Sequence, residues 1–330
     1  MAASATAHPQ VRGSRVRLPW GTVITGAFVV TMLRPISWAL GLAGFLAGGG
    51  VVLVAWPILV LPTPSGLQNA LGGPVSSLVF GGLSPGFLAL IVGALAGAVV
   101  LVLAGTLAGA WAERQGIAVV LDAAADDGLA LPVADLAGAP GAGRVAAVRL
   151  LSLVPVGVAA AFAWTPLYDA IYQELILPSD LVTPLPVRVL ARVPWLVLGL
   201  AAVWLLSDAA AAVAVRHLVL ERRPVLVSWL LGWADLVRRP FRILPTALVG
   251  IGVLALLVGP ALAAAAIGWG RVREILGEGR DPAVVLVALS IWVAIWLGGL
   301  VLAGVGAAVR AATWTLELPM SPPGGGPSPR

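Results

Sequence analysis

The chain has 330 residues, of which 60% are hydrophobic and only 11% are charged. A soluble domain carries about 25% charged residues, so this chain lacks the polar surface that a soluble enzyme or a disordered protein needs. It has no cysteine, which excludes disulfides, thiolate metal sites and cysteine nucleophiles, and its net charge of +5 comes from 20 Arg and no Lys against 15 acids.

A membrane helix needs about 20 mostly apolar residues to cross a hydrocarbon core of about 30 Å. In chain order, residues 1–19 contain His8, Arg12, Arg15 and Arg17 but no apolar core of a cleavable signal peptide. They read as a disordered cytoplasmic N-terminus. The segment WGTVITGAFVVTMLRPISWALG (Trp20–Gly41) reads as a short helix in the cytoplasmic interface. The Arg34-Pro35 step then turns the chain into the bilayer, because proline restricts the residue before it. Six spans are expected at about 36–61, 86–111, 147–168, 193–216, 243–269 and 284–309. The 112–146 stretch, with Asp122, Asp126, Asp127 and Asp135, reads as a long acidic linker. Before the fifth span, VSWLLGWADLVRRPFRILPTALV (Val227–Val249) repeats the interfacial helix and its Arg-Pro step at Arg239-Pro240. Trp20, Trp229 and Trp233 are expected at headgroup depth. The tail, 319–330, reads as disordered, which leaves 20–318 as one transmembrane domain.

The expected fold is therefore all-α: a polytopic bundle of six spans in three hairpins, with interfacial amphipathic helices. The apolar runs are long and unalternated, unlike barrel strands. Fifteen arginines fall on one side of these spans and five (Arg188, Arg192, Arg271, Arg273 and Arg280) on the other. By the positive-inside rule, both termini face the cytoplasm of a bacterial inner membrane. The 112–146 stretch should hold the middle copy of the interfacial helix but matches it poorly.

Interfacial helix, Arg-Pro step, hairpin of spans and a last span ending AVRAATWTLEL (Ala308–Leu318) together resemble a group of bacterial six-span proteins. These are likened to the membrane domain of glycerophosphodiester phosphodiesterases. The likeness covers residues 20–318. It implies no catalytic residues to carry over, and the carboxylates and histidines of the soluble hydrolase domain are not here.

Small residues let membrane helices approach closely. Gly44 and Gly48, Gly93 and Gly97, Gly105 and Gly109, and Gly298, Gly299, Gly304 and Gly306 are candidate packing faces, or the lining of a pore or lipid groove. Pro57, Pro155, Pro194, Pro245 and Pro260 lie within or at the ends of spans, where proline removes a backbone donor and kinks a helix.

One intramembrane charge invites a functional reading. Asp208, beside Ser207 and eight residues before Arg216, lies about 12 Å into the hydrocarbon, where a charge is costly. Arg149, Arg242 and Arg310 are its possible partners. It is either the proton- or cation-linked residue of a small transporter or channel, or a hydrogen-bonded brace. Trp164, Tyr168, Asp169, Tyr172 and Glu174 collect at the outer end of the third span, as an aromatic and acidic mouth or as an ordinary aromatic belt. Arg34, Arg222, Arg223, Arg238, Arg239 and Arg242 are candidate contacts for anionic lipid headgroups.

No catalytic signature is present. Gly141–Ala146 (GAGRVA) fits a dinucleotide fingerprint but follows no strand. There is no phosphate-binding G-x-x-x-x-G-K motif, no H-E-x-x-H and no G-x-S-x-G, and His8 and His217 make no metal site. The expectation is a protein without catalytic residues, metal or cofactor. Its partners are the bilayer, anionic headgroups and a membrane protein or second copy, not nucleic acid, and its role is scaffolding, lipid handling or assembly.

Overall fold

The computed structural model describes residues 19–55, 85–126, 138–177 and 185–317, with Ser179, Asp180 and Thr183 between the last two. Among them all regular structure is helical, and six helices are long and apolar enough to cross a membrane. The chain is a multi-pass integral membrane protein.

Helix α1 (Trp20–Leu33) is followed by α2 (Ile36–Phe45), a wide π-helical turn (Leu46–Gly50) and α3 (Val51–Ala55), which together make the first span. Gly49 has φ +98 within the turn, a left-handed conformation that L side chains rarely adopt. The long helices are α4 (Pro85–Asp126), α5 (Ala142–Ile176), α7 (Pro194–Leu220), α9 (Pro240–Gly277) and α10 (Pro282–Glu317). Two short helices, α6 (Leu185–Arg192) and α8 (Val225–Arg238), join them.

Helix α10 is the spine, packing against α9, α2, α1, α4 and α7. It runs antiparallel to α9: Trp292 Nε1 donates to the Ala265 carbonyl, Gly299 faces Ala261, Gly306 faces Leu254 and Gly250 faces the Arg310 side chain. It also runs antiparallel to α1 and the first span, from Gly26 against Leu316, through Gly41 against Gly304, to Trp296 Nε1 on the Val54 carbonyl.

The three buried clusters all lie toward the Arg-rich end. Ile117, Leu121, Val145, Val148, Val215 and Leu218 form the first; Val213, Leu236, Ile243, Ala247 and Trp314 belong to the second; Val23, Ala27, Val30, Val120 and Leu316 belong to the third. Away from this end α9 and α10 stay packed, but α4 stands apart. Along α4, Val92 to Leu103 are exposed on every face.

Several expectations change. Residues 112–126 of the expected linker are not one: α4 continues unbroken to Asp126 and buries Ile117, Leu121 and Ala124 on the bundle side. No separate middle interfacial helix exists among the described residues. The repeat therefore holds for two hairpins, at Arg34-Pro35 and Arg239-Pro240, where short helices do break before a span.

Neither short helix presents a polar face to water in the expected way. Helix α1 is apolar all round, with Val23, Ala27 and Val30 inside and Phe28, Val29 and Leu33 outside. Helix α8 turns its small residues, Ser228 and Gly232, inward and leaves Leu226, Leu230 and Val237 exposed. Trp20 donates to Thr246 Oγ1 across 3.3 Å, and Trp229 and Trp233 bury their indole N–H groups.

The glycine pairs divide. A Cβ at Gly105 or Gly109 would meet Ala47, and Gly299, Gly304 and Gly306 also face neighbours, whereas among the described residues nothing lies within 4 Å of a Cβ at Gly44, Gly48, Gly93, Gly97 or Gly298. Pro155 and Pro260 lie within continuous helices, and Pro194 opens α7 at its first turn, where its missing N–H is not needed. Pro57, Asp127, Asp135, residues 1–18 and the tail lie outside the described residues.

Candidate functional site: a chain of intramembrane charges

Asp208 does not stand alone. Near the Arg-rich end, four helices each bring charged side chains to one place: Glu113 from α4, Arg149 from α5, Asp208 and Arg216 from α7, and Arg310 from α10. Their order in space alternates in sign. Arg216 Nη1 donates to Glu113 Oε1 at 2.5 Å, and Arg149 grips the same carboxylate with Nε at 2.9 Å and Nη2 at 2.7 Å. The third nitrogen of Arg149, Nη1, reaches Asp208 Oδ1 at 3.2 Å, and Arg310 Nη2 donates to Asp208 Oδ2.

Arg216 is 2% exposed. It also donates to the carbonyls of Ala212 at 3.1 Å and Ala311 at 3.2 Å, and to Thr315 Oγ1 at 3.5 Å. The planar fork of guanidinium suits such shared and bidentate contacts, and each ion here offsets the desolvation of its neighbour.

Two of the three partners expected for Asp208 are therefore present. The third, Arg242, pairs instead with the buried Glu317 at the end of α10. Glu113 is the residue the sequence reading passed over, because it follows an apolar run and looked like the start of the linker. A signal for it exists. Each hairpin's second helix carries Ala-x-Arg near its end: Ala112-Glu113-Arg114, Ala214-Val215-Arg216 and Ala308-Val309-Arg310. The first of these arginines, Arg114, turns away to the Pro140 carbonyl, 3.1 Å off.

A second polar node joins α7 to α8. His217 lies 2.9 Å from Asp235 and 3.2 Å from Glu221. Hydrogen bonding to the His217 ring holds the Glu221 carboxyl below the usual carboxylate range, so Glu221 stays charged at neutral pH.

At the opposite end, the aromatic and acidic group splits. Trp164, Tyr168, Asp169 and Tyr172 are exposed, and the two tyrosine rings stack with centroids 6.4 Å apart. Glu174 is 2% exposed and turned inward: it accepts from Ser179 N and Oγ at 3.1 and 2.9 Å and from Arg192 at 2.9 Å, with Arg188 at 3.6 Å. It buckles α6 to the end of α5 and is not part of an open mouth. Glu174→Ala should therefore speed proteolytic cutting of the 177–193 connection several-fold without shifting cleavage elsewhere, as limited proteolysis of the solubilised protein would read.

Of the proposed headgroup contacts, Arg34 pairs with Asp126, Arg223 lies 3.5 Å from Glu221 and Arg242 pairs with Glu317. Arg222 and Arg238 are exposed, and Arg239 is half-buried. No group of three or more potential metal ligands occurs among the described residues. A small crevice between α3, α9 and α10 is lined by apolar residues, Val54, Val258, Ala265 and Trp296 among them. No family model, curated protein or solved structure matches the chain.

Proposed function

We propose that the chain is a scaffold of the bacterial inner membrane, with both termini in the cytoplasm. It has no catalytic centre of its own and works by holding lipid and membrane-protein partners. The observation that carries this reading is the alternating charge chain. Glu113 and Asp208 are each gripped by two guanidinium groups, so neither acid is free to take up and release a proton or a cation. An acid that couples transport must let go of its partner to load the ion; here each acid is held by two guanidinium groups, and the acids brace four helices.

The apolar far half of the bundle supports the same role. Along α4, Leu95, Val99 and Leu103 offer lipid or a partner helix an open surface.

Asp208→Asn tests this. Wild-type protein in proteoliposomes should pass protons and sodium no faster than empty vesicles. The variant should lose about 1–3 kcal/mol of stability because Arg149 and Arg310 lose their shared carboxylate. A proton or sodium flux that Asp208→Asn abolishes, with the fold intact, would replace the scaffold reading with the transport one.

A further inference from the structure

The charge chain ends in guanidinium at both ends. Among the described residues, the only carboxylates that Arg149, Arg216 and Arg310 meet are Glu113 and Asp208, which leaves one positive charge without a counter-charge. The nearby carboxylates are committed elsewhere: Glu317 to Arg242, Asp235 to His217, and Glu221 to His217 and Arg223. The other groups on Arg216, the Ala212 and Ala311 carbonyls and Thr315, are neutral. An uncompensated charge inside a bilayer is costly.

Donors are also left over. Among the described residues, Arg216 Nε and Arg310 Nε are buried and have no hydrogen-bond partner. Yet the cluster is not sealed. The side chains of Arg149, Arg310 and Asp208 are 28%, 22% and 18% exposed. One helical turn further from the Arg-rich end, on the same faces, stand Leu153 (43% exposed) and Trp204 (47%). Surplus cation, spare donors and an adjoining apolar wall suit an amphiphile with an anionic head.

We infer that Arg149 and Arg310, backed by Arg216, bind one singly charged phosphate group. Its source is either a phospholipid headgroup, with acyl chains against Leu153 and Trp204, or free phosphate. This rests on the lipid-handling part of the proposed function.

The test uses the full chain in neutral detergent and phosphate-free buffer, with thermal unfolding as the readout. Phosphatidylglycerol should raise the midpoint by about 3 °C, while zwitterionic phosphatidylcholine should not. Inorganic phosphate added alone distinguishes the sources: a matching rise assigns a free anion, and no rise assigns the lipid. Arg310→Gln brings the cluster to two charges of each sign and should abolish the response. Arg238→Gln, outside the cluster, should keep it.

The inference is overturned if neither anion shifts the wild-type midpoint, or if Arg310→Gln responds like wild type. Should Arg310→Gln fail to fold, native mass spectrometry of the wild type decides. Retention of one phosphatidylglycerol per chain over phosphatidylcholine supports the site, and equal retention overturns it. Loss of the site alone, with inert proteoliposomes, would leave the scaffold reading standing.

Discussion

Glu113→Gln should destabilise the protein by about 3–5 kcal/mol, the cost of breaking a buried ion pair from one side. Among the described residues Glu113 is the only carboxylate that Arg216 touches, and Arg216 is 2% exposed. Without that charge, Arg216 keeps two carbonyls and a threonine hydroxyl, none of which neutralises it. Arg149 still has Asp208. The damage therefore concentrates on one guanidinium, and removing that guanidinium should relieve it. The double variant Glu113→Gln with Arg216→Gln should recover much of the loss, so a double-mutant cycle should give a coupling above about 1 kcal/mol. Asp126→Asn is the reference. Its partner Arg34 and Asp126 itself are 45% and 67% exposed, and such surface pairs contribute about 0–1 kcal/mol. Unfolding of Glu113→Gln, Arg216→Gln, their double variant and Asp126→Asn in mixed micelles gives the comparison. A Glu113→Gln cost no larger than that of Asp126→Asn would mean that the charge chain does not brace the bundle.

The bundle was readable because lipid imposes one rule on every span, and long apolar runs record it. Spans expected from 36, 86, 193 and 284 begin at Ile36, Pro85, Pro194 and Pro282. The other ends were less legible. The spans placed as far as 111, 168 and 309 lie in helices that run on to Asp126, Ile176 and Glu317. Charged and polar residues there resemble a solvated end, but the helices stay amphipathic and pack together, as Ile117 and Trp314 do.

The same ambiguity hid half of the candidate site. Asp208 interrupts an apolar run and is conspicuous. Glu113 sits at the edge of one, and only the approach of α5 and α7 tells that its side chain turns inward. Glycine spacing fails for a related reason. Gly93 and Gly97 have the same separation as Gly105 and Gly109, on the same helix, yet only the second pair meets another helix. Spacing fixes which residues share a face. What covers that face is decided by a residue far away in sequence, here Ala47.

Gly41→Leu should be nearly as damaging as Glu113→Gln, at about 3 kcal/mol, by a purely steric route. A Cβ at Gly41 would fall on the Gly304 carbonyl oxygen, and it would lie 2.7 Å from the Ala308 nitrogen and 3.0 Å from the Ala308 Cβ. The first two are backbone, which cannot swing aside as a side chain can. Across the contact, a Cβ at Gly304 would meet the Trp38 carbonyl oxygen at 2.6 Å. The paired glycines thus let α2 and α10 touch backbone to backbone, where dispersion rather than water must hold them. A leucine forces the two helices apart by the width of a side chain. Arg310, two residues beyond Ala308, moves with the spine, so the ion chain should loosen as well. Gly97→Leu is the counterpart, since nothing lies within 4 Å of Gly97; it should change stability by no more than about 0.5 kcal/mol. Unfolding measured on both variants separates the packing account from a general intolerance of glycine replacement. Were Gly97→Leu the more harmful, the far half of α4 would have to be packed against something in the membrane, and the α2–α10 contact would not be what closes the bundle.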